Sequence, residues 1–157
     1  MKEEMEDDTD FLRQAIALAH ANVDSGGRPF GAVIVKDGKV IAQAVNEIAA
    51  TNDPTAHAEL LAIRAASRYL DSANLEGCAV FASGHPCPMC MAAMRMAGVK
   101  AVAYAYSNED AGPFGLSTSE VYADLAKPFA EQTMRIRHLP ARLAGEPDLY
   151  AHWQQRR

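Results

Sequence analysis

Two short stretches concentrate the residues able to do chemistry: Pro54-Thr55-Ala56-His57-Ala58-Glu59 and Pro86-Cys87-Pro88-Met89-Cys90. Taken alone, the Cys-x-x-Cys of the second is open to three readings. It fits a thioredoxin-like redox pair, half of a zinc site, or two small hydrophobes buried side by side. The first stretch tilts the balance toward metal. His57, Cys87 and Cys90 supply one imidazole and two thiolates, a soft ligand set suited to zinc. Both stretches are expected at helix N-termini, where the dipole is positive and favours thiolate over thiol. A structural zinc site closes with a fourth protein ligand, whereas a catalytic one leaves that position to water. His85 is a conceivable fourth ligand, but two residues before Cys87 it crowds the same turn. Water in an open fourth position has its pKa brought down to about 7.

Glu59 discriminates between the structural and the catalytic case. A lone glutamate in a first helical turn is ordinarily a surface carboxylate, favourably placed by the dipole. Residues two apart on a regular helix point about 200° from each other. His57 and Glu59 therefore share a site only if His57 sits at the start of the helix, where Pro54 places it. There the carboxylate gains a chemical role. A hydrolysis that expels an amine must take a proton from water, protonate a ring nitrogen and protonate the departing amine. One mobile carboxylate beside the metal can do all three.

The joint pattern, His-x-Glu followed by Pro-Cys-x-x-Cys, resembles the signature of the zinc-dependent cytidine/nucleobase deaminases. The likeness covers roughly residues 10–155 and is closest to the bacterial guanine deaminases. It is carried by Pro29-Phe30-Gly31-Ala32-Val33-Ile34-Val35-Lys36-Asp37-Gly38, by Asn52 to Glu59, and by Pro86 to Cys90. The tRNA adenosine deaminases are similar over the same blocks. The resemblance implies one zinc per subunit on His57, Cys87 and Cys90, with Glu59 as proton shuttle. It implies that Asn46 hydrogen-bonds the substrate base and that Phe30 lines the pocket. It also implies that the Ala58 N–H meets a substrate carbonyl or ring nitrogen, and that Pro86 and Thr118 belong to the substrate site. Without it, Asn46 reads as the end of a strand and Phe30 as core. The implied fold is α/β, a three-layer α/β/α sandwich on a five-stranded mixed sheet. The implied assembly is a homodimer, with C-terminal segments exchanged in many guanine deaminases.

Two positions depart from the guanine deaminase pattern. His85 stands before Pro86 where the relatives usually carry Glu, and Thr118 stands where an acid is expected to read guanine's amino and ring N–H groups. A carboxylate accepts two hydrogen bonds from an amidine edge, whereas a hydroxyl does so weakly and without charge. An unpaired buried partner costs about 1–3 kcal/mol, enough to reorder preference among similar rings. The expected reaction is guanine to xanthine plus ammonia. Ammeline or another triazine, a pterin, an isocytosine-like pyrimidine or a modified guanine are alternatives, and adenosine in a tRNA loop is a more distant one.

These residues need elements to position them. Residues 11–23 place Phe11, Leu12, Ala15, Ile16 and Ala19 on one helical face, with Thr9 or Asp10 as cap and Gly26-Gly27 as stop. Two apolar runs joined by Asp37-Gly38 predict a β-hairpin. Asp53-Pro54 is expected to open a helix to about Leu70, with Ala56, Leu60, Ile63, Ser67 and Leu70 inward. A strand over 78–82, a helix introduced by Pro86 and Pro88 and running to about Ala97, ended by Gly98, and a strand over 99–106 follow. A loop over 108–119, a helix near 119–126, a fifth strand near 133–138 and a helix near 148–155 complete the chain. Trp153, in that last helix, reads as a packing anchor.

At 157 residues with 49% apolar and 22% charged content, the chain is an ordinary globular domain, neither disordered nor a disulfide scaffold. The 15 Lys+Arg and 20 Asp+Glu give −5, but residues 1–10 alone hold six acids and Lys2. That stretch reads as an acidic tail of net −5, and residues 11–157 as one neutral domain. A neutral body argues against a polyanionic partner, which demands Lys/Arg. Only residues 135–157 run basic, at five Arg against two acids. The acidic N-terminus is no secretory signal, and the uncharged run 77–94 contains two prolines, so no membrane span is expected. Three cysteines, an odd number, point to the reducing cytoplasm, with Cys78 left as a buried strand residue.

Overall fold

The computed structural model describes residues 2–157, with side chains described from residue 8 onward. Contacts divide the chain into two compact units, residues 1–123 and 124–157.

The first unit is built on a hairpin of β1 (Gly31–Lys36) and β2 (Lys39–Val45). Its two turn residues have positive φ, 52° at Asp37 and 75° at Gly38, the conformation that matches the twist of the flanking strands. β1 also pairs antiparallel with β3 (Cys78–Gly84), and β3 pairs parallel with β4 (Ala101–Tyr106). The result is a mixed sheet in the order β2-β1-β3-β4.

Alternation along β1 sends side chains to both faces. Val33 and Val35, with Phe81, meet Phe11, Leu12 and Leu18 of α1 (Lys2–Asp24) on one face. Ala32, Ile34 and Val80 meet α3 (Ala58–Leu70) and α4 (Pro88–Ala97) on the other. This is the expected three-layer arrangement. The sheet has four strands rather than five. Residues 133–138 form no strand because the second unit offers none to pair with. Thr133 instead bonds Asp124 through its N–H and its hydroxyl, both at 3.0 Å.

Other boundaries also moved. α1 begins at Lys2, so Thr9 and Asp10 lie inside it rather than at its N-cap; an acidic run suits the N-terminal turns of a helix. A short α2 (Ile48–Thr51) intervenes before α3. α3 starts at Ala58 rather than Pro54, because the Asp53 carboxylate takes both the Thr55 N–H (2.8 Å) and hydroxyl (2.7 Å). That side-chain turn competes with helix, and the two bonds lower the Asp53 pKa. The buried stripe of α3 is Ala58, Ala62 and Ala66, which lets the helix lie close on the sheet, with Leu60, Ile63 and Leu70 flanking it. Close approach also explains Gly31. A Cβ there would sit 2.4 Å from the Ala15 carbonyl oxygen of α1.

The loop after β4 holds α5 (Asn108–Ala111) and a 3-10 turn (Gly112–Phe114), and leads into α6 (Ser119–Leu125). The second unit contains a 3-10 turn (Phe129–Glu131) and α7 (Leu149–Arg156). Trp153 is 61% exposed, with the Arg157 guanidinium 4.9 Å from its ring, so it is not the expected packing anchor. Cys78 is a fully buried residue of β3, and burial raises its pKa.

Candidate active site

The two helices on one face of the sheet, α3 and α4, deliver the ligand set from their N-terminal ends. His57 caps α3 with extended backbone (φ −76°, ψ 150°), and Cys87 caps α4 alike (φ −70°, ψ 168°). Neither makes a side-chain N-cap hydrogen bond. His57 Nδ1 lies 3.4 Å from Cys87 Sγ and 3.6 Å from Cys90 Sγ. All three ligand atoms lie within 4.8 Å of one another. Tetrahedral zinc, with Zn–N about 2.0–2.1 Å and Zn–S about 2.3 Å, places neighbouring N and S ligands about 3.6 Å apart. The donor set and its spacing therefore fit one zinc ion, with Nδ1 as the imidazole ligand. His85 is not part of the cluster. Its Nδ1 is 3.0 Å from the Asn108 side-chain nitrogen.

The Cys90 thiol donates to Cys87 sulfur, which pulls the Cys87 pKa down strongly, helped by His57. Cys90 is correspondingly pushed up, since it keeps that proton and is buried. The Cys87 bond raises the His57 pKa against the opposing effect of burial. Glu59, only 7% exposed, has its pKa raised by that burial.

A cavity of about 180 Å³ opens beside the cluster. Phe30, Asn46, His57, Glu59, Cys87 and Thr118 line it together. Asn46 is 4% exposed. Its Oδ1 accepts the Ile48 N–H at 3.0 Å, and its side-chain nitrogen has no partner among the described residues. The Asn22 side chain donates to the carbonyls of Asn46 (2.9 Å) and Arg28 (2.8 Å), and so fixes the rim of the cavity. The Thr118 hydroxyl oxygen is buried and has no hydrogen-bond partner. Ala58 and Pro86 are buried and do not line the cavity. The Ala58 N–H belongs to the first turn of α3, where N–H groups lack intrahelical acceptors. The Pro86 carbonyl accepts the Tyr122 hydroxyl, whose pKa burial pushes up to about 12.

Sequence reasoning missed Arg28, Asn22, Asn108 and Tyr122. Arg28 also lines the cavity, and its adjacency to Pro29-Phe30 was the one available hint. A larger, mostly apolar cavity of about 680 Å³ lies nearby, but none of the ligand residues nor Glu59 lines it.

Comparison with known proteins agrees with this geometry. A family profile, the cytidine and deoxycytidylate deaminase zinc-binding region, matches residues 5–106. The guanine deaminase of Bacillus subtilis (strain 168) is 46% identical over 125 residues, covering 79% of this chain and 80% of that protein. An X-ray structure of guanine deaminase from Bacillus subtilis superposes with a TM-score of 0.85 at 40% identity, covering 94% of this chain and 93% of that one. The tRNA-specific adenosine deaminase of Aquifex aeolicus (strain VF5) is 33% identical, covering 87% of each chain.

Proposed function

Because this chain belongs to the cytidine and deoxycytidylate deaminase zinc-binding family, we propose that it converts guanine and water to xanthine and ammonia. The observation that carries this reading is a cavity lined by His57 and Cys87 of the three-ligand cluster together with a single carboxylate, Glu59. Zinc on His57, Cys87 and Cys90 supplies Lewis-acid activation of water at neutral pH.

The remaining work falls to the chain's own groups. The Glu59 carboxylate accepts a proton from the attacking water and returns it to the ring nitrogen beside the reacting carbon. It then carries the second proton to the departing amine. Burial raises its pKa above the ordinary carboxylate value, which helps it hold a proton between transfers. With its Oδ1 already used, Asn46 offers its N–H₂ to a ring carbonyl or nitrogen. Phe30 presents an apolar wall to the ring face, and Pro86 braces the turn that holds Cys87. The Thr118 hydroxyl meets the far edge of the ring.

That last contact supports a second reading. A neutral hydroxyl in place of a carboxylate also suits a triazine such as ammeline, a pterin, an isocytosine-like pyrimidine or a modified guanine. Measuring ammonia release across these rings, with guanine, cytosine and adenine, separates the two. A gel shift with tRNA at moderate salt tests the adenosine alternative, and the neutral body predicts no shift.

A second copy of the chain is the proposed partner, with C-terminal segments exchanged. Leu139, Leu143, Leu149, Tyr150 and Trp153 are each at least 61% exposed, an apolar display that a monomer rarely leaves uncovered. Light scattering should give the dimer mass, and a monomer mass would contradict this reading. No helix among the described residues is long and apolar enough to cross a membrane. We place the enzyme in the cytoplasm, where two of its three cysteines stay reduced as ligands.

A further inference from the structure

We propose that Asn108 is a positioning residue that clamps the loop carrying Thr118, with His85 as its anchor, and so sets affinity for the ring rather than the chemistry. This rests on the cavity being the ring-binding site.

Asn108 opens α5, whose start is locked by a reciprocal cap. The Asp110 N–H donates to Ser107 Oγ (3.1 Å), and the Ser107 N–H donates to Asp110 Oδ2 (2.9 Å). From that fixed base the Asn108 side chain reaches two ways. Its Oδ1 accepts the Thr118 N–H at 3.2 Å, and its nitrogen lies 3.0 Å from His85 Nδ1. Only the amide oxygen can accept from Thr118. The amide nitrogen must therefore donate to His85, whose Nδ1 is the acceptor and whose Nε2 bears the proton.

His85 is itself held on three sides. Its N–H donates to the Tyr106 carbonyl at 2.8 Å. Its ring stands edge-on to Tyr104 (centroids 4.6 Å apart) and to Tyr122 (5.2 Å). The clamp thus ties residue 118 to the ends of β3 and β4. Its other end is Thr118, the residue whose buried hydroxyl has no protein partner and which lines the cavity. A hydroxyl that must find its partner on a ligand gains most from a backbone fixed beforehand. Neither Asn108 nor His85 lines the cavity, so neither touches the ring itself.

The test uses the zinc-loaded full chain. Asn108→Ala should raise KM for guanine about 3- to 10-fold, the range for one lost hydrogen bond, with the change in KM rather than kcat. Thr118→Val should raise KM by a similar factor. The double variant should be no worse than the more affected single one, because Asn108 acts on the ring only through the Thr118 hydroxyl that Thr118→Val deletes. Effects that multiply in the double variant, or a fall in kcat at constant KM, overturn the proposal. Hydrogen exchange of residues 115–122, measured without substrate, supplies an independent readout. It should quicken in Asn108→Ala, and also in His85→Phe, which keeps the ring packing but loses the acceptor. Unchanged exchange in both variants overturns the clamp whatever the substrate. If the wild-type enzyme leaves guanine intact, the guanine reading fails on its own. The KM comparison is then made with whichever ring releases ammonia.

Discussion

Glu59→Gln is the sharpest perturbation of the proposed chemistry. The substitution keeps the shape of the side chain but removes the site that carries protons. Glu59 is the only carboxylate lining the cavity among the described residues, and the other ionisable groups there are Arg28, His57 and Cys87. No neighbour can take over its proton transfers. General acid–base catalysis contributes about 10²–10⁴-fold, and here one residue serves more than one transfer. The expected loss in kcat is therefore about 10³-fold or more, equivalent to about 4 kcal/mol at 1.36 kcal/mol per decade. The fold should not suffer. Burial disfavours the charged carboxylate, so a neutral amide should leave the melting temperature equal or higher. Zinc content should stay at one per chain, since His57, Cys87 and Cys90 are untouched. The assay is ammonia release at saturating guanine, paired with metal analysis of the same sample. A variant with full zinc and more than a tenth of wild-type kcat would refute the shuttle.

Three other outcomes follow from the packing and the metal site. Gly31→Ala would force a Cβ within 2.4 Å of the Ala15 carbonyl oxygen and 2.8 Å of Leu18 Cβ. It should destabilise by about 1–3 kcal/mol, seen as a lower urea midpoint; an unchanged midpoint would contradict the close approach of α1. Leu75→Ala, at a fully buried position, should cost about 2–5 kcal/mol and lower the melting temperature by about 2–4 °C per kcal/mol. Chelating the zinc should abolish turnover and destabilise the fold by about 2.7 kcal/mol relative to zinc at a hundred times its Kd. Calorimetry with and without added zinc checks this, and identical melting curves would contradict a metal held by the folded state.

Some of this architecture was open to reading from residues alone. Asp37-Gly38 between two apolar runs specified the hairpin, because both turn positions need positive φ. Pro86, Pro88 and Gly98 located α4, because proline suits a first turn and glycine a left-handed cap. His57, Cys87 and Cys90 could be grouped because zinc requires such a set. Other features depended on competition that a linear pattern does not show. Asp53-Pro54 looks like a helix start, yet the Asp53 carboxylate is spent on Thr55 and α3 begins later. Met134 and Ile136 alternate like a strand, yet no partner strand exists within residues 124–157. Asn22, Arg28 and Asn108 carry no motif. Their roles arise from the carbonyls, rings and loops that the fold brings beside them.

The central claim is that this cavity deaminates guanine. Incubating the zinc-loaded enzyme with guanine, while following xanthine by its ultraviolet spectrum and ammonia by a coupled assay, tests it most directly. The account predicts one xanthine and one ammonia per guanine consumed, with turnover lost in Glu59→Gln. Absence of xanthine, alongside ammonia release from a triazine, pterin or pyrimidine, would contradict it.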